Sequence, residues 1–254
     1  MIESLHSPHV ARVKALIGSK GVRERRAAGL FVAEGAQSLK EALNGQPQVE
    51  TLYITEGGRR RIAELDLDIS HLNAIEVSDA VMEAMTTTIT PQGILALCHL
   101  PHESRTLPPI RSAIYLYEIQ DPGNAGTILR TADAMGIDAV FTSPGSVDMY
   151  SPKVVRATAG SLWHINLFEG VEFTDLLSRY SECHVIALSG SAEKCLTEVT
   201  FETPTIAIFG NEARGLSDEI IKQVEGVHIP MLGRAESLNL SAAAAIVMYH
   251  MSQG

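Results

Sequence analysis

Residues 121–136 read D-P-G-N-A-G-T-I-L-R-T-A-D-A-M-G, one residue after the apolar run A-I-Y-L-Y-E-I at 113–119. The run predicts a strand, Asp121-Pro122-Gly123 a turn, Asn124 an N-cap, and Ile128, Leu129, Ala132 and Met135 the buried face of a helix. A glycine-bearing turn from strand to helix is where an α/β fold receives a ligand. The spacing is not G-x-G-x-x-G and no Lys follows, so the turn is not a phosphate cradle and a nucleotide-binding dehydrogenase is disfavoured. Arg130 lies roughly 200° round the helix from Ile128 and so points away from the core. It either pairs with Asp133 on the surface or faces a ligand over the strand ends.

Outward from this turn the same alternation continues. A-V-F-T, H-I-N-L-F, H-V-I-A-L-S, T-I-A-I-F-G and V-H-I-P-M read as strands, with helices between them, one opened by Ser151-Pro152 and one capped by Ser217. Continuous apolar strands alternating with helices imply a mostly parallel sheet covered on both faces. Upstream, L-P-H-E-S-R-T-L-P-P-I-R at 100–111 holds three prolines and no periodicity, which marks a linker. The expected organisation is therefore a smaller α/β domain over 1–99, the linker, and a parallel-sheet α/β domain over 112–254. In the first domain Ser7-Pro8 opens a helix to about Lys20, K-G-V-R-E-R-R reads as a basic loop, and L-F-V-A-E, V-E-T-L-Y-I-T, A-I-E-V and G-I-L-A-L-C-H read as strands.

The 254 residues are 45% hydrophobic, with no apolar run long enough to span a bilayer and no secretory leader, so the expected address is the cytoplasm. Cys98, Cys183 and Cys195 are far apart and form neither a disulfide framework nor a zinc motif, and the nine histidines are scattered, so no metal is expected. The net charge of −10 is unevenly spread. Residues 1–62 hold ten Lys and Arg against six Glu, a balance of +4, which leaves −14 on the rest. Such asymmetry hints at polyanion contact by the basic part, through Arg12, Arg23, Arg25 and Arg26; a solvated face is the alternative.

Two further segments fall at strand ends. In I-A-I-F-G-N-E-A-R-G-L-S-D-E, 206–219, a glycine turn holds Asn211 and Glu212 between Gly210 and Gly215, with a carboxylate available for hydrogen bonding. In V-H-I-P-M-L-G-R-A-E-S-L-N-L-S-A-A-A-A, 227–245, a polar loop with Ser237 and Asn239 precedes an alanine-rich helix. Packing alone explains the alanines. It does not explain three polar, glycine-bearing turns at the ends of one sheet.

In order, D-P-G-N-A-G-T-I-L-R-T-A-D-A-M-G, F-G-N-E-A-R-G-L-S and I-P-M-L-G-R-A-E-S-L-N-L-S closely resemble the three signature motifs of the SpoU-type (TrmH-like) RNA 2′-O-ribose methyltransferases of the SPOUT superfamily. S-P-K-V-V-R-A-T-A-G-S-L at 151–162 is similar to the family as well, and Leu240 stands where Val is more usual. F-V-A-E-G-A-Q-S-L-K-E-A-L and T-P-Q-G-I-L-A-L resemble a preceding substrate-binding domain that is itself similar to a small ribosomal RNA-binding protein. The resemblance implies a deep C-terminal trefoil knot, a homodimer packed through it, and S-adenosylmethionine as cofactor. It implies that Leu188, Gly190, Phe209, Gly210, Asn211, Ile229, Met231 and Leu238 contact the cofactor. Asn124, Arg130, Glu212, Ser237 and Asn239 would surround the transferring methyl, with Lys153 and Arg156 as a further RNA contact.

In that setting Arg130 meets the charge that develops on the ribose oxygen and holds a phosphate, because a guanidinium is always protonated; Glu212 or the phosphate would accept the proton. Ribosomal RNA is the favoured substrate, transfer RNA the nearest alternative, and a non-catalytic RNA-binding module the alternative of another class.

Overall fold

The structure is a computed structural model, and it describes residues 1–45, 48–101, 107–201 and 203–253. Residues 102–106 of the expected linker lie outside the described residues. The chain divides into two units, Met1–Arg105 with Tyr150–His164, and Thr106–Met149 with Ile165–Gly254.

In the first unit α1 (Pro8–Ile17) is capped by Ser7, whose side chain accepts from His9 N, with Pro8 opening the helix. The expected basic loop is instead a second helix, α2 (Gly21–Ala28), closed by Gly29 at φ 65°. Then follow β1 (Leu30–Glu34), α3 (Ala36–Asn44), β2 (Val49–Ile54), α4 (Glu56–Glu64), β3 (Ala74–Glu76), α5 (Asp79–Met85) and β4 (Ile94–His99). The strands order as β1-β4-β2-β3, antiparallel except for the β2–β3 pair. Val10, Val13 and Leu16 of α1 and Val81, Met82 and Met85 of α5 pack on Leu30, Val32, Tyr53, Leu95 and Leu97 of the sheet. These apolar positions recur at helical spacing in the helices and alternate in the strands.

In the second unit β5 (Ser112–Leu116) leads into α6 (Pro122–Ala134) and β6 (Ala139–Thr142). The next helix, α7 (Pro152–Ala157), belongs to the first unit, although the sequence reading placed 150–164 with the second domain. Its reason is apolar: Val154 and Val155 are buried, and Tyr150 and Trp163 place their rings 5.1 and 6.0 Å from that of Phe31 on β1. The second unit continues with β7 (Asn166–Phe168), α8 (Phe173–Arg179), β8 (His184–Leu188), the two-residue β9 (Lys194–Cys195), β10 (Thr205–Phe209), α9 (Asp218–Ile221), β11 (Glu225–His228) and α10 (Leu240–Met251). Its seven strands order as β7-β6-β5-β10-β8-β11-β9, and every pair is parallel. All five residues of the central β10 are buried, as a strand covered on both faces requires.

Of the cysteines, Cys98 is a core residue whose thiol is pushed up to about 12 by burial, while Cys183 and Cys195 are partly buried. Among the described residues no helix is long and apolar enough to cross a membrane.

Candidate active site

Asp121, not Asn124, caps α6: its side chain accepts from Asn124 N at 2.8 Å. Pro122 occupies the first turn, where its missing N–H costs nothing. Asn124 is therefore already helical, and its amide is free to bridge. Its Nδ2 donates to Glu212 Oε1 at 3.3 Å, and its Oδ1 accepts from Asn239 Nδ2 at 2.9 Å. Asn239 is the N-cap of α10, and its Oδ1 accepts from Ser241 N, Ser241 Oγ and Ala242 N. That cap fixes which way the Asn239 amide points, and the Asn239 donor then fixes the Asn124 amide. The three motifs thus meet in one hydrogen-bonded line, Glu212–Asn124–Asn239.

Glu212 also accepts from Gln120 N at 3.1 Å and Asp121 N at 2.9 Å. Partial burial pulls its pKa up. The backbone N–H groups of Asp121, Glu212 itself and Gln120, with the Asn124 amide, outweigh that and hold the carboxyl below its ordinary value. A carboxylate so engaged clamps the β5–α6 loop to the β10–α9 loop. Asn211 is buried and equally committed, its Oδ1 to Ala213 N and Arg214 N and its Nδ2 to Glu118 O at 2.8 Å. Gly210 is needed by the loop itself. A Cβ there would lie 2.6 Å from both Gly215 O and Leu216 N, because Asn211 and Gly215 pair across the turn.

These loops wall a cavity of about 400 Å³ at the carboxyl ends of β8, β10 and β11. Of the residues expected at the site, Asn124, Glu212, Ser237 and Asn239 line it together with Leu188, Gly190, Gly210, Asn211, Ile229, Met231 and Leu238. Two do not. Phe209 is only 1% exposed, packed in the core from the end of a strand covered on both faces. Arg130 is exposed on α6, outside the cavity wall, and among the described residues it forms no hydrogen bond or ion pair, with Asp133 or any other group. The cavity adds Ser189, Glu236 and Ala243, which sequence reasoning did not single out, and Gly215 and Leu240, which it named in the motifs without a place at the site. Glu236 and Leu240 stood inside the third motif, and Ala243 in the alanine run that was read as packing.

Among its described lining residues the cavity has two carboxylates, Glu212 and Glu236, and no Lys, Arg or His. Glu236 is exposed and forms no ion pair among the described residues. Such a wall suits a ligand that carries positive charge and repels phosphates. At Gly190 an added Cβ would meet nothing within 4 Å, so the chain there leaves open room. Among the described residues no group of three or more His, Cys, Asp or Glu side chains is placed to hold a metal ion.

The residues expected to meet RNA are dispersed. Arg25 is 4% exposed, its Nη1 donating to Leu16 O, and is no phosphate contact. It turns inward because residues 21–26 are helical and Gly21 leaves it space: a Cβ at that glycine would be 2.5 Å from Arg25 Nη1 and 2.6 Å from Leu16 O. Arg12 makes a two-bond pair with Glu50 at 2.9 and 3.0 Å. Arg23 and Arg26 are exposed. Lys153 and Arg156 are exposed on α7, within the first unit.

Residues 111–249 match the family model described as the SpoU rRNA Methylase family, and residues 8–96 match the MRM3-like substrate binding domain. The chain is 33% identical over 98% of its length, and 98% of the relative's, to the 23S rRNA (guanosine(2553)-2′-O)-methyltransferase RlmP of Bacillus subtilis. It is 29% identical to the 23S rRNA (uridine(2479)-2′-O)-methyltransferase of Streptomyces viridochromogenes, over 93% of this chain and 86% of that one. Among solved structures, an AdoMet-bound rRNA methyltransferase from Sinorhizobium meliloti superposes with a TM-score of 0.84 at 26% identity, covering 99% of this chain and 97% of that one. The match spans the clamp, the anionic cavity and all three motif loops, and the chain belongs to the SpoU rRNA Methylase family.

Proposed function

We propose that the protein transfers a methyl group from S-adenosylmethionine to a ribose 2′-hydroxyl of ribosomal RNA. The observation that carries the cofactor is the cavity of about 400 Å³ that has two carboxylates and no cation among its described lining residues. S-adenosylmethionine supplies there a methyl group on a positively charged sulfonium. Glu236, on the cavity wall, would balance that charge. Gly190 leaves it room, and Leu188, Ile229, Met231 and Leu238 give the apolar wall. The Glu212–Asn124–Asn239 line holds the rim in one shape before substrate arrives, so little reorganisation is needed in the transition state.

Arg130 stands on the solvent side of α6, where RNA approaches. As a permanent cation it stabilises the negative charge that grows on the attacking ribose oxygen and anchors an adjacent phosphate. The hydroxyl proton passes to Glu212 or to the RNA phosphate.

Ribosomal RNA is favoured over transfer RNA because the two named rRNA enzymes are similar over nearly the whole chain, both units included. We also assign to this protein the trefoil knot and the homodimer of its family. The insertion of β10 between β5 and β8, both of which precede it in sequence, supports the first. Exposed Ile246 and Tyr249 on α10 support the second. The cytoplasm is the proposed compartment.

The test is to map 2′-O-methylation across total RNA from cells with and without the protein. One ribose methyl on large-subunit RNA should disappear on deletion and return when the purified protein and S-adenosylmethionine are added. No change anywhere would leave an RNA-binding module in place of an enzyme.

A further inference from the structure

Ile89, with a relative accessibility of 101%, is the most exposed large apolar side chain among the described residues. A single exposed aliphatic residue is ordinary. Its support is not. Ile89 sits at the tip of the loop between α5 and β4, in the run T-T-T-I-T-P-Q-G at 86–93, and the loop is tied down on both sides. The Glu34 carboxylate, with a side chain only 8% exposed, accepts from Thr87 N and Thr87 Oγ1 at 3.1 Å and from Thr88 Oγ1 at 2.5 Å. On the far side Gln92 Oε1 accepts from Ala36 N at 3.0 Å, and Gly93 turns the chain at φ 76° against Gly58. Ile89 is thus displayed by a fixed loop instead of being free to fold back onto apolar surface.

Arg156 of α7 completes the arrangement. Its Nη1 donates to Thr87 Oγ1 at 2.9 Å and Thr88 Oγ1 at 3.3 Å and lies 3.8 Å from Glu34, while its side chain stays 41% exposed. Lys153 lies three residues earlier, on the same helical face. The segment 150–164 that carries both cations holds no Asp or Glu. The first unit as a whole has thirteen Lys and Arg against thirteen Asp and Glu, so the net charge of −10 belongs to the second.

We propose that the loop 86–92, with Lys153 and Arg156, is a docking surface for RNA in which the two cations meet phosphates and Ile89 lies against the apolar face of an unpaired base. This rests on the methyltransferase reading above and adds to it the place where the first unit holds the substrate. RNA fits better than a protein partner. A stable protein interface buries about 800 Å² per side around an apolar core, whereas here one aliphatic side chain stands among threonines and cations. Single-stranded RNA offers regularly spaced phosphates and splayed bases at the scale of a few side chains.

The experiment measures binding of deproteinised large-subunit ribosomal RNA at several salt concentrations for the full-length wild type, Ile89→Ser and Arg156→Ala, with S-adenosylmethionine affinity and Tm read on each. Arg156→Ala should weaken binding and reduce the slope of log affinity against log salt by about one unit. Ile89→Ser should weaken binding by about three- to tenfold at every salt with the slope unchanged. Cofactor affinity should stay at the wild-type value in both and Tm in Ile89→Ser, while Arg156→Ala, which gives up its bonds to Thr87 and Thr88, should lower Tm slightly. Ile89→Ser within twofold of wild type, or an unchanged slope for Arg156→Ala, overturns the proposal while leaving the enzymatic reading intact. A defect of Ile89→Ser on intact large subunits but not on deproteinised RNA assigns the surface to a protein and also overturns it. Failure of the wild type itself to bind or methylate ribosomal RNA removes both readings together.

Discussion

Asn239 donates from Nδ2 to Asn124 Oδ1 across 2.9 Å, so the cap of the last helix is also the brace of the first motif. The two roles use different atoms, which makes them separable. Asn239→Asp keeps the Oδ1 acceptor and loses the donor; Asn239→Ala loses both. The alanine variant should lose about 1–2 kcal/mol of stability, the usual worth of an N-cap. The aspartate should stay near wild type in urea unfolding and yet transfer methyl at least about tenfold more slowly, because a carboxylate faces Asn124 Oδ1 where an amide should. Single-turnover methylation beside equilibrium unfolding reads both effects.

Glu212 should make stability depend on pH. Its folded pKa lies below its ordinary value of 4.5, held down against burial by backbone N–H donors and the Asn124 amide. A depressed carboxyl contributes stability fully above the unfolded value and loses it as pH falls through the folded one. Glu212→Gln should therefore cost about 1 kcal/mol at pH 7, discounted for its exposure, and progressively less in acid. Urea unfolding at pH 7 and at about pH 3 should show the gap between the two proteins close.

Two glycines of the cavity should behave in opposite ways. Gly210→Ala forces a Cβ onto Gly215 and Leu216 backbone and should cost about 1–3 kcal/mol, with weaker cofactor binding as a result of the distorted loop. Gly190→Ala meets nothing of the protein and should leave Tm unchanged while taking room from the ligand. Thermal unfolding and titration calorimetry with S-adenosylmethionine distinguish a fold defect from a filled site.

Arg130→Ala removes an exposed side chain with no ion pair among the described residues, so Tm and cofactor affinity should not move. Methyl transfer should fall by about 100-fold or more, since a cation facing charge that exists only in the transition state acts on the rate alone. Full single-turnover activity in this variant would remove Arg130 from the mechanism.

Strand and helix order was legible almost throughout, because apolar periodicity survives wherever an element packs on one core: α6 declares itself by Ile128, Leu129 and Ala132, and β10 by the four apolar residues Ile206, Ala207, Ile208 and Phe209. The helix Gly21–Ala28 was not, since V-R-E-R-R-A-A has no apolar stripe and is held by its Gly29 cap and by an inward arginine. The site was legible as motifs but not as roles. Asn211 and Glu212 looked like ligand groups from their place in a turn, and only coordinates show the oxygens of both taken up by neighbouring N–H groups and the Asn211 amide nitrogen by Glu118 O. Glu236 was passed over because nothing in its spacing distinguishes a cavity-lining carboxylate from a solvated one. The membership of 150–164 in the first unit was invisible for a different reason: Tyr150, Val154, Val155 and Trp163 announce that they are buried, not against what.

That last feature sets an order on synthesis. The first unit takes α7 and the Trp163 ring from a segment that follows β5, α6 and β6, so its Phe31 face has no partner when the ribosome has translated only as far as residue 105. About 60 further residues must be made, on the order of 3–12 s at the usual elongation rate, before that face can close. The nascent chain therefore carries an open apolar surface through that interval, and a truncated product ending at the linker would expose it permanently.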